Sequence, residues 1–226
     1  MNFYKFFKRL FDFLISVIFL LIFLPLYLVL MIMLFLTGEH QVFYLQERIG
    51  YNNKKFKIYK FATMIKNSSK IGLKDLTIRD DPRILPFGKL LRYSKLNELP
   101  QIFNVIIGNM SFVGPRPLME VSFNRYNDKV KQIIYKSKPG ITGLGSLVFR
   151  DEEKLISEVN DNSRSEIVKE ITDYKGKIEL WYYNNSSILV DFKILILTFI
   201  KLFISKNFSI KYLFNDLPKG LGRFEN

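Results

Sequence analysis

The sequence contains no cysteine and only one histidine, His40. The absence of cysteine excludes disulfide bonds, zinc–thiolate sites and cysteine nucleophiles. A single histidine cannot form a histidine-based metal cluster. Any metal site must therefore use oxygen ligands, which favours Mg²⁺ or a similar hard cation.

Acidic residues are scarce relative to basic ones. The chain carries 34 lysine and arginine residues against 21 aspartate and glutamate residues, so its formal net charge is +13. This excess is typical of proteins with polyanionic partners such as phosphorylated substrates, lipid headgroups or nucleic acid, and a generic basic surface is the alternative. No recognisable nucleic-acid-binding motif accompanies the charge, so we do not expect a nucleic-acid partner.

Apolar residues are concentrated near the N-terminus. Residues 10–36 are almost purely apolar, which is long enough for a membrane helix because a span needs about 20 residues. A signal peptide is not expected because no small-x-small cleavage site follows, and a buried soluble helix is the other alternative. Basic residues flank the segment on both sides, and Pro25 should break or kink it. We therefore predict a re-entrant membrane helix over residues 1–37 rather than a true span.

The rest of the chain is predicted to form a mostly helical α+β fold with one small β-hairpin. Residues 38–204 should form a cytoplasmic or interfacial domain, and residues 205–226 a basic C-terminal tail. Asn97 is predicted to cap a helix that carries Pro100 in its first turn. The last predicted helix should lie in the membrane interface. Strands are predicted over residues 41–47 and 55–61, and helices over 87–93, 97–107, 120–137, 151–183 and 188–204.

Six short strings stand in a fixed order along the chain. They are QERIG at 46–50, YKF at 59–61, DDPRI at 80–84, NELPQ at 97–101 followed by Asn104-Val105, NMSFVGPRP at 109–117 and KPGITG at 138–143. No single string is decisive, but together they resemble the bacterial sugar transferase family, also called monotopic phosphoglycosyl transferases. The resemblance covers about residues 5–204.

The resemblance implies a reaction. A carboxylate attacks the β-phosphate side of a UDP-sugar, UMP is released, and the phosphosugar passes to undecaprenyl phosphate at the start of a surface-glycan pathway. The resemblance also implies Mg²⁺, a neighbouring Asp-Glu pair and an active site on the cytoplasmic face of the bacterial inner membrane. The family's re-entrant helix usually breaks at Ser-Pro, whereas this sequence has Leu24-Pro25. A homodimer and downstream glycosyltransferases stay open as partners.

The candidate site residues are carboxylates and arginines, which suit Mg²⁺ and phosphate oxygens respectively. Arg116 lies between two prolines that restrict its backbone, so it should lose less entropy when it binds an anion; a structural salt bridge is the alternative. The resemblance implies a functional arginine five residues before the position of Asn97, which makes Arg92 a candidate catalytic residue. The candidate metal ligands are Glu98, Asp80 and Asp81, with a turn bearing surface carboxylates as the alternative for the acidic pair. The candidate phosphate-binding residues are Arg79, Arg83, Arg116, Pro115 and Pro117.

Asn97 stands where the family's usual aspartate nucleophile falls, and an amide is a poor nucleophile. Glu98 could attack instead, with Asp80 or Asp81 binding the metal, or the acceptor phosphate could attack directly without a covalent intermediate. Catalysis could also be lost, or the position altered by engineering or deamidation. The alternative function is then a catalytically silent membrane scaffold that binds polyprenyl phosphate or a partner transferase. The predicted helix N-terminus at Asn97 should also favour phosphate, with an ordinary cap as the alternative.

Overall fold

The computed structural model describes residues 2–68, 81–149, 156, 161–203, 213–214 and 216–218. Helices dominate these residues and the strands are short, which confirms the predicted mostly helical α+β fold. The helices are α1 (Asn2–Thr37), α2 (Pro86–Tyr93), α3 (Gln101–Ile107), α4 (Glu120–Phe123), α5 (Asp128–Ile133), α6 (Leu144–Val148), α7 (Asp161–Asn185) and α8 (Ile188–Phe203). The strands are β1 (Phe43–Ile49), β2 (Lys55–Phe61), β3 (Ser111–Val113) and β4 (Gly140–Thr142). Short 3₁₀ turns occupy Tyr51–Asn53, Leu96–Glu98 and Ile134–Lys136.

The chain divides into two compact units that each combine distant parts of the sequence. The first unit contains Met1–Leu10, Arg48–Phe56 and Asn109–Asn226, and the second contains Phe11–Glu47 and Lys57–Gly108. The β1–β2 hairpin contributes its turn to the first unit and most of its two strands to the second. The predicted domain boundaries at residues 37 and 204 stay predictions.

The first unit is built around the parallel pair β3 and β4, on which helices α6, α7 and α8 pack. Ser111 lies opposite Gly140, and Val113 lies opposite Thr142. A side chain at Gly140 would meet the Gly114 backbone nitrogen at 2.2 Å, so only glycine allows the two strands to approach this closely. The surrounding core buries Val113, Leu144, Ile178, Ile194 and Leu197 almost completely.

A buried carboxylate joins the N-terminal residues to the same unit. Asp191 on α8 forms an ion pair with Lys8 and accepts hydrogen bonds from the hydroxyl groups of Tyr4 at 2.8 Å and Tyr182 at 2.7 Å. Because a buried charge is costly unless it is paired and hydrogen-bonded, this arrangement holds the first turns of α1 against α8.

The second unit packs the C-terminal half of α1 against β2, α2 and α3. Its core includes Tyr27, Leu34, Phe61, Leu91 and Val105, which are buried almost completely. The Asn104 side chain crosses from α3 to β2, where it accepts from the Tyr59 backbone N–H at 3.0 Å and donates to the Lys57 carbonyl at 2.8 Å. These two bonds fix β2 beside α3.

Helix α1 is the membrane candidate. Over its described length it is long and apolar enough to cross a bilayer, with a mean hydropathy of 3.1 in its most apolar stretch. The helix continues through Pro25, so a complete break at this proline is wrong, whereas the kink predicted as the other outcome stays a prediction. The re-entrant path stays a prediction.

Two other predicted helices are wrong in their boundaries. The helix predicted over 97–107 begins only at Gln101, because Lys95 adopts a left-handed backbone with φ of 60° and Asn97 lies inside a 3₁₀ turn. Asn97 therefore does not cap α3, and the helix N-terminus that was expected to bind phosphate there is absent. The helix predicted over 120–137 is divided, since Asn127 caps α5 by accepting from the Val130 N–H at 3.0 Å.

The remaining predicted elements agree with the structure, apart from what lies outside the described residues. The hairpin is confirmed, with β1 displaced by two residues, and so are α2 and α8. The helix predicted over 151–183 is observed from Asp161 to Asn185, and residues 151–155 and 157–160 lie outside the described part. Most of the predicted tail also lies outside it. The pair of β3 and β4 was not predicted.

Candidate functional site

A carboxylate and a lysine meet in the second unit. The Nζ atom of Lys60 on β2 donates to Oε1 of Glu98 at 3.2 Å, and the two side chains are 16% and 25% exposed. The pair is therefore shielded but still reaches solvent. Asn97, immediately before Glu98, is buried. Of these two neighbouring side chains, Glu98 is the better placed to meet a substrate.

The backbone around Glu98 is held by contacts from three directions. Lys95 adopts the left-handed conformation that turns the chain after α2, and the Glu98 N–H donates to the Lys95 carbonyl at 3.1 Å. The hydroxyl of Tyr27 on α1 donates to the Leu99 carbonyl at 2.6 Å. Asn104 ties the following helix to the strand that carries Lys60. A non-glycine residue at positive φ persists only where its surroundings over-determine it, and these contacts do so.

Asp81 and Arg83 form a buried ion pair with each other. Arg83 donates from Nε to Asp81 Oδ1 at 2.9 Å and from Nη2 to Oδ2 at 2.6 Å, and its backbone N–H donates to Oδ1 at 3.0 Å. These hydrogen bonds lower the pKa of the Asp81 carboxyl to about 2. Arg83 also donates from Nη1 to the Ser68 carbonyl at 2.9 Å. The predicted metal ligand and the predicted phosphate-binding residue thus neutralise each other.

The Asp81–Arg83 ion pair lies in a segment that forms backbone hydrogen bonds with the residues just after β2. Met64 and Ile84 form an antiparallel bridge, and the Leu85 N–H donates to the Thr63 carbonyl at 3.0 Å. Arg92 on α2 donates from Nη1 to Thr63 Oγ1 at 3.4 Å, and its charge contributes to the low pKa of Asp81. Arg92 is therefore positioned by the same segment that contains the Asp81–Arg83 pair.

The carboxylates of this unit fit a magnesium ion only in part. Both oxygens of Asp81 accept hydrogen bonds from Arg83, so Asp81 does not fit the role of a ligand. Glu98 does fit, because Mg²⁺ is commonly held by one or two carboxylates and completes its coordination with substrate phosphates and water. The described residues contain no group of three acidic or histidine side chains that could hold a metal.

The first unit presents a different group, an exposed arginine in a rigid turn. Pro115 and Pro117 are buried, whereas Arg116 between them is exposed. The turn follows β3 directly, and the Gly140 N–H of β4 donates to the Pro115 carbonyl at 2.9 Å. A planar guanidinium on a restrained backbone suits bidentate contact with phosphate oxygens.

The structure thus brings some predicted residues together and leaves others apart. Asp81 contacts Arg83, Arg92 contacts the same segment, and Arg116 belongs to the other unit. Arg79 and Asp80 lie outside the described residues. The role of Lys60 as the partner of Glu98 was not predicted, since 38 residues separate the two and no local pattern connects them.

The comparison with known families bears directly on this arrangement. The sequence model described as bacterial sugar transferase matches residues 3–205. The chain belongs to the bacterial sugar transferase family. Both groups described above, the one at Glu98 and the one at Arg116, lie inside the matched range.

Several members of the family are similar over most of this chain. The undecaprenyl-phosphate galactose phosphotransferase of Salmonella typhimurium is 32% identical over 210 residues, which are 86% of this chain and 40% of the relative. The sugar transferase EpsL of Bacillus subtilis is 33% identical over 200 residues, 88% of each chain. The exopolysaccharide production protein ExoY of Sinorhizobium fredii is 32% identical over 167 residues, 67% of this chain and 73% of the relative. The chain spans about two fifths of the Salmonella protein's length.

Proposed function

We propose that the protein transfers a sugar-1-phosphate from a nucleoside diphosphate sugar, first of all a UDP-sugar, to undecaprenyl phosphate and releases UMP. The observation that carries the proposal is the partly exposed Glu98 carboxylate, which Lys60 holds next to the position of the family's usual nucleophile. The names of relatives add support, since one of them is a UDP-glucose:undecaprenyl-phosphate glucose-1-phosphate transferase from Klebsiella pneumoniae.

In the covalent route, a Glu98 oxygen attacks the sugar-linked phosphorus of the donor. The bond from that phosphorus to the bridging oxygen breaks, and UMP leaves with that oxygen. An oxygen of undecaprenyl phosphate then attacks the same phosphorus and frees the Glu98 carboxylate. In the direct route, the acceptor displaces UMP in one step, and Glu98 acts as a metal ligand instead. Trapping a labelled phosphosugar on Glu98 distinguishes the two.

The cationic groups have separate tasks in either route. Displacement at a diphosphate depends on charge neutralisation and on alignment of the attacking and leaving oxygens. Arg116 would bind donor phosphate oxygens, and Arg92 would add positive charge near the segment of Thr63. In the direct route, Mg²⁺ held by Glu98 and the substrate would supply further neutralisation of the diphosphate.

The test is UMP release by the full chain with a panel of UDP-sugars, undecaprenyl phosphate and Mg²⁺. We expect turnover with at least one donor and a loss of at least 100-fold in Glu98→Gln. Glu120→Gln is the matched control, because the Glu120 carboxylate forms an exposed ion pair with Lys55. Equal turnover in wild type and Glu98→Gln would refute the assigned role of Glu98.

Asn97 motivates the alternative function, a catalytically silent scaffold that binds polyprenyl phosphate or a partner transferase. The same assay decides between the two. If no donor gives turnover and Asn97→Asp restores it, the scaffold is the native function. If the wild type turns over, the amide at position 97 is compatible with catalysis.

For the membrane, we propose that α1 is re-entrant and that the protein lies on the cytoplasmic face of the bacterial inner membrane. Lys8 contacts Asp191, so the N-terminal end of α1 is attached to a part of the chain that follows its C-terminal end. A true span would put these two parts on opposite faces unless a second segment crossed the bilayer. Among the described residues, α1 is the one helix long and apolar enough to cross.

The exposed side chains of two helices support the same placement. Residues 21–25 of α1 are exposed in succession, on all sides of the helix. Helix α8 buries Ile194 and Leu197 on one side and exposes Leu189, Phe192 and Phe199 on the other. Apolar side chains exposed on one side of a helix are typical of a helix in the membrane interface.

Cysteine labelling tests the topology cleanly because the chain has no cysteine of its own. Phe3→Cys and Leu45→Cys place one thiol before and one after the apolar segment, at exposed positions. Both thiols should react from the cytoplasmic side of inverted vesicles and neither from the periplasmic side of intact spheroplasts. Labelling from opposite sides would refute the re-entrant path.

A further inference from the structure

Every backbone carbonyl from residue 115 to residue 118 accepts a hydrogen bond from a different donor. The Pro115 carbonyl accepts from the Gly140 N–H at 2.9 Å, and the Leu118 carbonyl accepts from the Ile49 N–H at 2.8 Å. Between them, the Pro117 carbonyl accepts from Arg48 Nη1 at 3.5 Å and the Arg116 carbonyl accepts from the Tyr135 hydroxyl at 2.8 Å. The turn is therefore fixed by residues outside it.

Tyr135 makes two of the bonds to this turn with a single hydroxyl group. The hydroxyl donates to the Arg116 carbonyl and accepts from the Leu118 N–H at 2.9 Å, so it bridges the peptide groups on both sides of Pro117. The side chain is 1% exposed, and its ring stacks on Phe123 with a centroid separation of 5.8 Å. Burial raises the pKa of the Tyr135 hydroxyl well above its usual value, so the hydroxyl stays a donor.

We propose that Tyr135 is a positioning residue for Arg116, which sets the direction in which the arginine meets the donor phosphates. The proposal rests on the phosphate-binding role given to Arg116 above. Proline fixes φ at Pro115 and Pro117 but leaves ψ free, and Arg116 itself has both angles free. The Tyr135 bridge orients the peptide groups after Arg116 and after Pro117, which removes this freedom.

Loss of the Tyr135 hydroxyl should affect donor binding more than it affects the stability of the fold. A single intramolecular hydrogen bond contributes only modestly to the stability of the fold. Misplacement of a group that meets the substrate by about 1 Å can cost about 100-fold. Loss of the hydroxyl should therefore weaken donor binding while the buried ring keeps the fold intact.

The experiment compares Tyr135→Phe with Tyr174→Phe in the full chain. Tyr174 is also buried, but its hydroxyl donates to the Pro218 carbonyl at 3.1 Å rather than to the turn. We expect Tyr135→Phe to raise the KM for the nucleotide sugar about tenfold, with a smaller change in kcat. Tyr174→Phe should leave the KM unchanged. Both variants should melt within a few degrees of each other.

A double-mutant cycle shows whether Tyr135 acts through Arg116. If it does, Tyr135→Phe should add little to the defect of Arg116→Ala, because the group that it positions is already missing. Additive losses would overturn the proposal while leaving the proposed function intact. A wild type that neither binds nor turns over any nucleotide sugar would overturn both.

Amide hydrogen exchange gives a measurement that needs no substrate. Residues 114–118 contain only three backbone N–H groups, since two of the five residues are prolines. The Leu118 N–H donates to the Tyr135 hydroxyl, so its exchange should accelerate at least tenfold in Tyr135→Phe and not in Tyr174→Phe. Unchanged exchange at Leu118 would refute the bridge itself, whatever the activity.

Discussion

The buried carboxyl group of Glu179 should make the stability of the fold depend on pH. Glu179 lies on α7 and is 5% exposed, and its Oε2 atom has no hydrogen-bond partner within the described part of the chain. Burial raises the pKa of this carboxyl to about 7, against 4.5 for the exposed group, and is only partly offset by Lys175 and by the backbone N–H of Gly145. The folded chain therefore retains a proton that the unfolded chain has lost.

The direction of the effect follows from this difference. Between pH 4.5 and 7 the folded state binds more protons than the unfolded state, so stability decreases as the pH rises through this window. A shift from 4.5 to about 7 corresponds to at most about 3 kcal/mol. For a chain of this size, that is a decrease of about 6–12 °C in the melting temperature.

The assay is thermal unfolding of the detergent-solubilised protein at pH 5 and at pH 8. Glu179→Gln removes the charge with little change in shape, so the variant should exceed the wild type in melting temperature at pH 8 and lose that advantage at pH 5. Glu166→Gln, an exposed acid on the same helix, should follow the wild type at both values. If Glu179→Gln and the wild type lose the same stability between pH 5 and pH 8, the reasoning from burial is wrong.

Two further substitutions test the contacts that hold each unit together, with denaturant unfolding as the measurement. Asn104→Ala leaves two part-buried backbone groups of β2 without their partner and should cost about 1–3 kcal/mol. Asn185→Ala removes an exposed bond to Trp181 and should change stability by less than about 0.5 kcal/mol. Equal effects would contradict the role given to Asn104. Asp191→Ala leaves the partly buried Lys8 without its counter-charge and should cost about 3 kcal/mol. Asp128→Ala, at an exposed ion pair, should cost about 0.5 kcal/mol or less. A small effect of Asp191→Ala would show that the N-terminal residues are not held by this carboxylate.

The local pattern of the sequence predicted most elements but failed where the backbone departs from regular geometry. Helix α2 and helix α8 were predicted within a residue or two because their apolar residues recur at helical spacing. Asn97 resembles a helix cap in sequence, but the left-handed Lys95 and the 3₁₀ turn delay the helix to Gln101. The pair of β3 and β4 escaped prediction because three residues in each strand are too few to show alternation.

The site could be predicted in its residue types but not in its pairings. The sequence shows that carboxylates and arginines are available for a site. It does not show that Asp81 and Arg83 pair with each other, because that ion pair depends on the buried position of both residues. Glu179 was missed because α7 is rich in charged residues, and a buried acid cannot be told from a solvated one in such a sequence. Tyr135 was missed for a similar reason, since its role depends on a contact with a turn 17 residues earlier.

Most of the six strings that identify the family fall into two sets, one in each compact unit. Arg48, the turn at Pro115 and the strand that begins at Gly140 meet around Arg116 within the first unit. The strings that contain Lys60, Asp81 and Glu98 lie together in the second unit. Asn97 is buried beside Glu98 within the second of these sets. The position of the family's usual aspartate is therefore occupied by a neutral amide that is less exposed than the neighbouring Glu98 carboxylate.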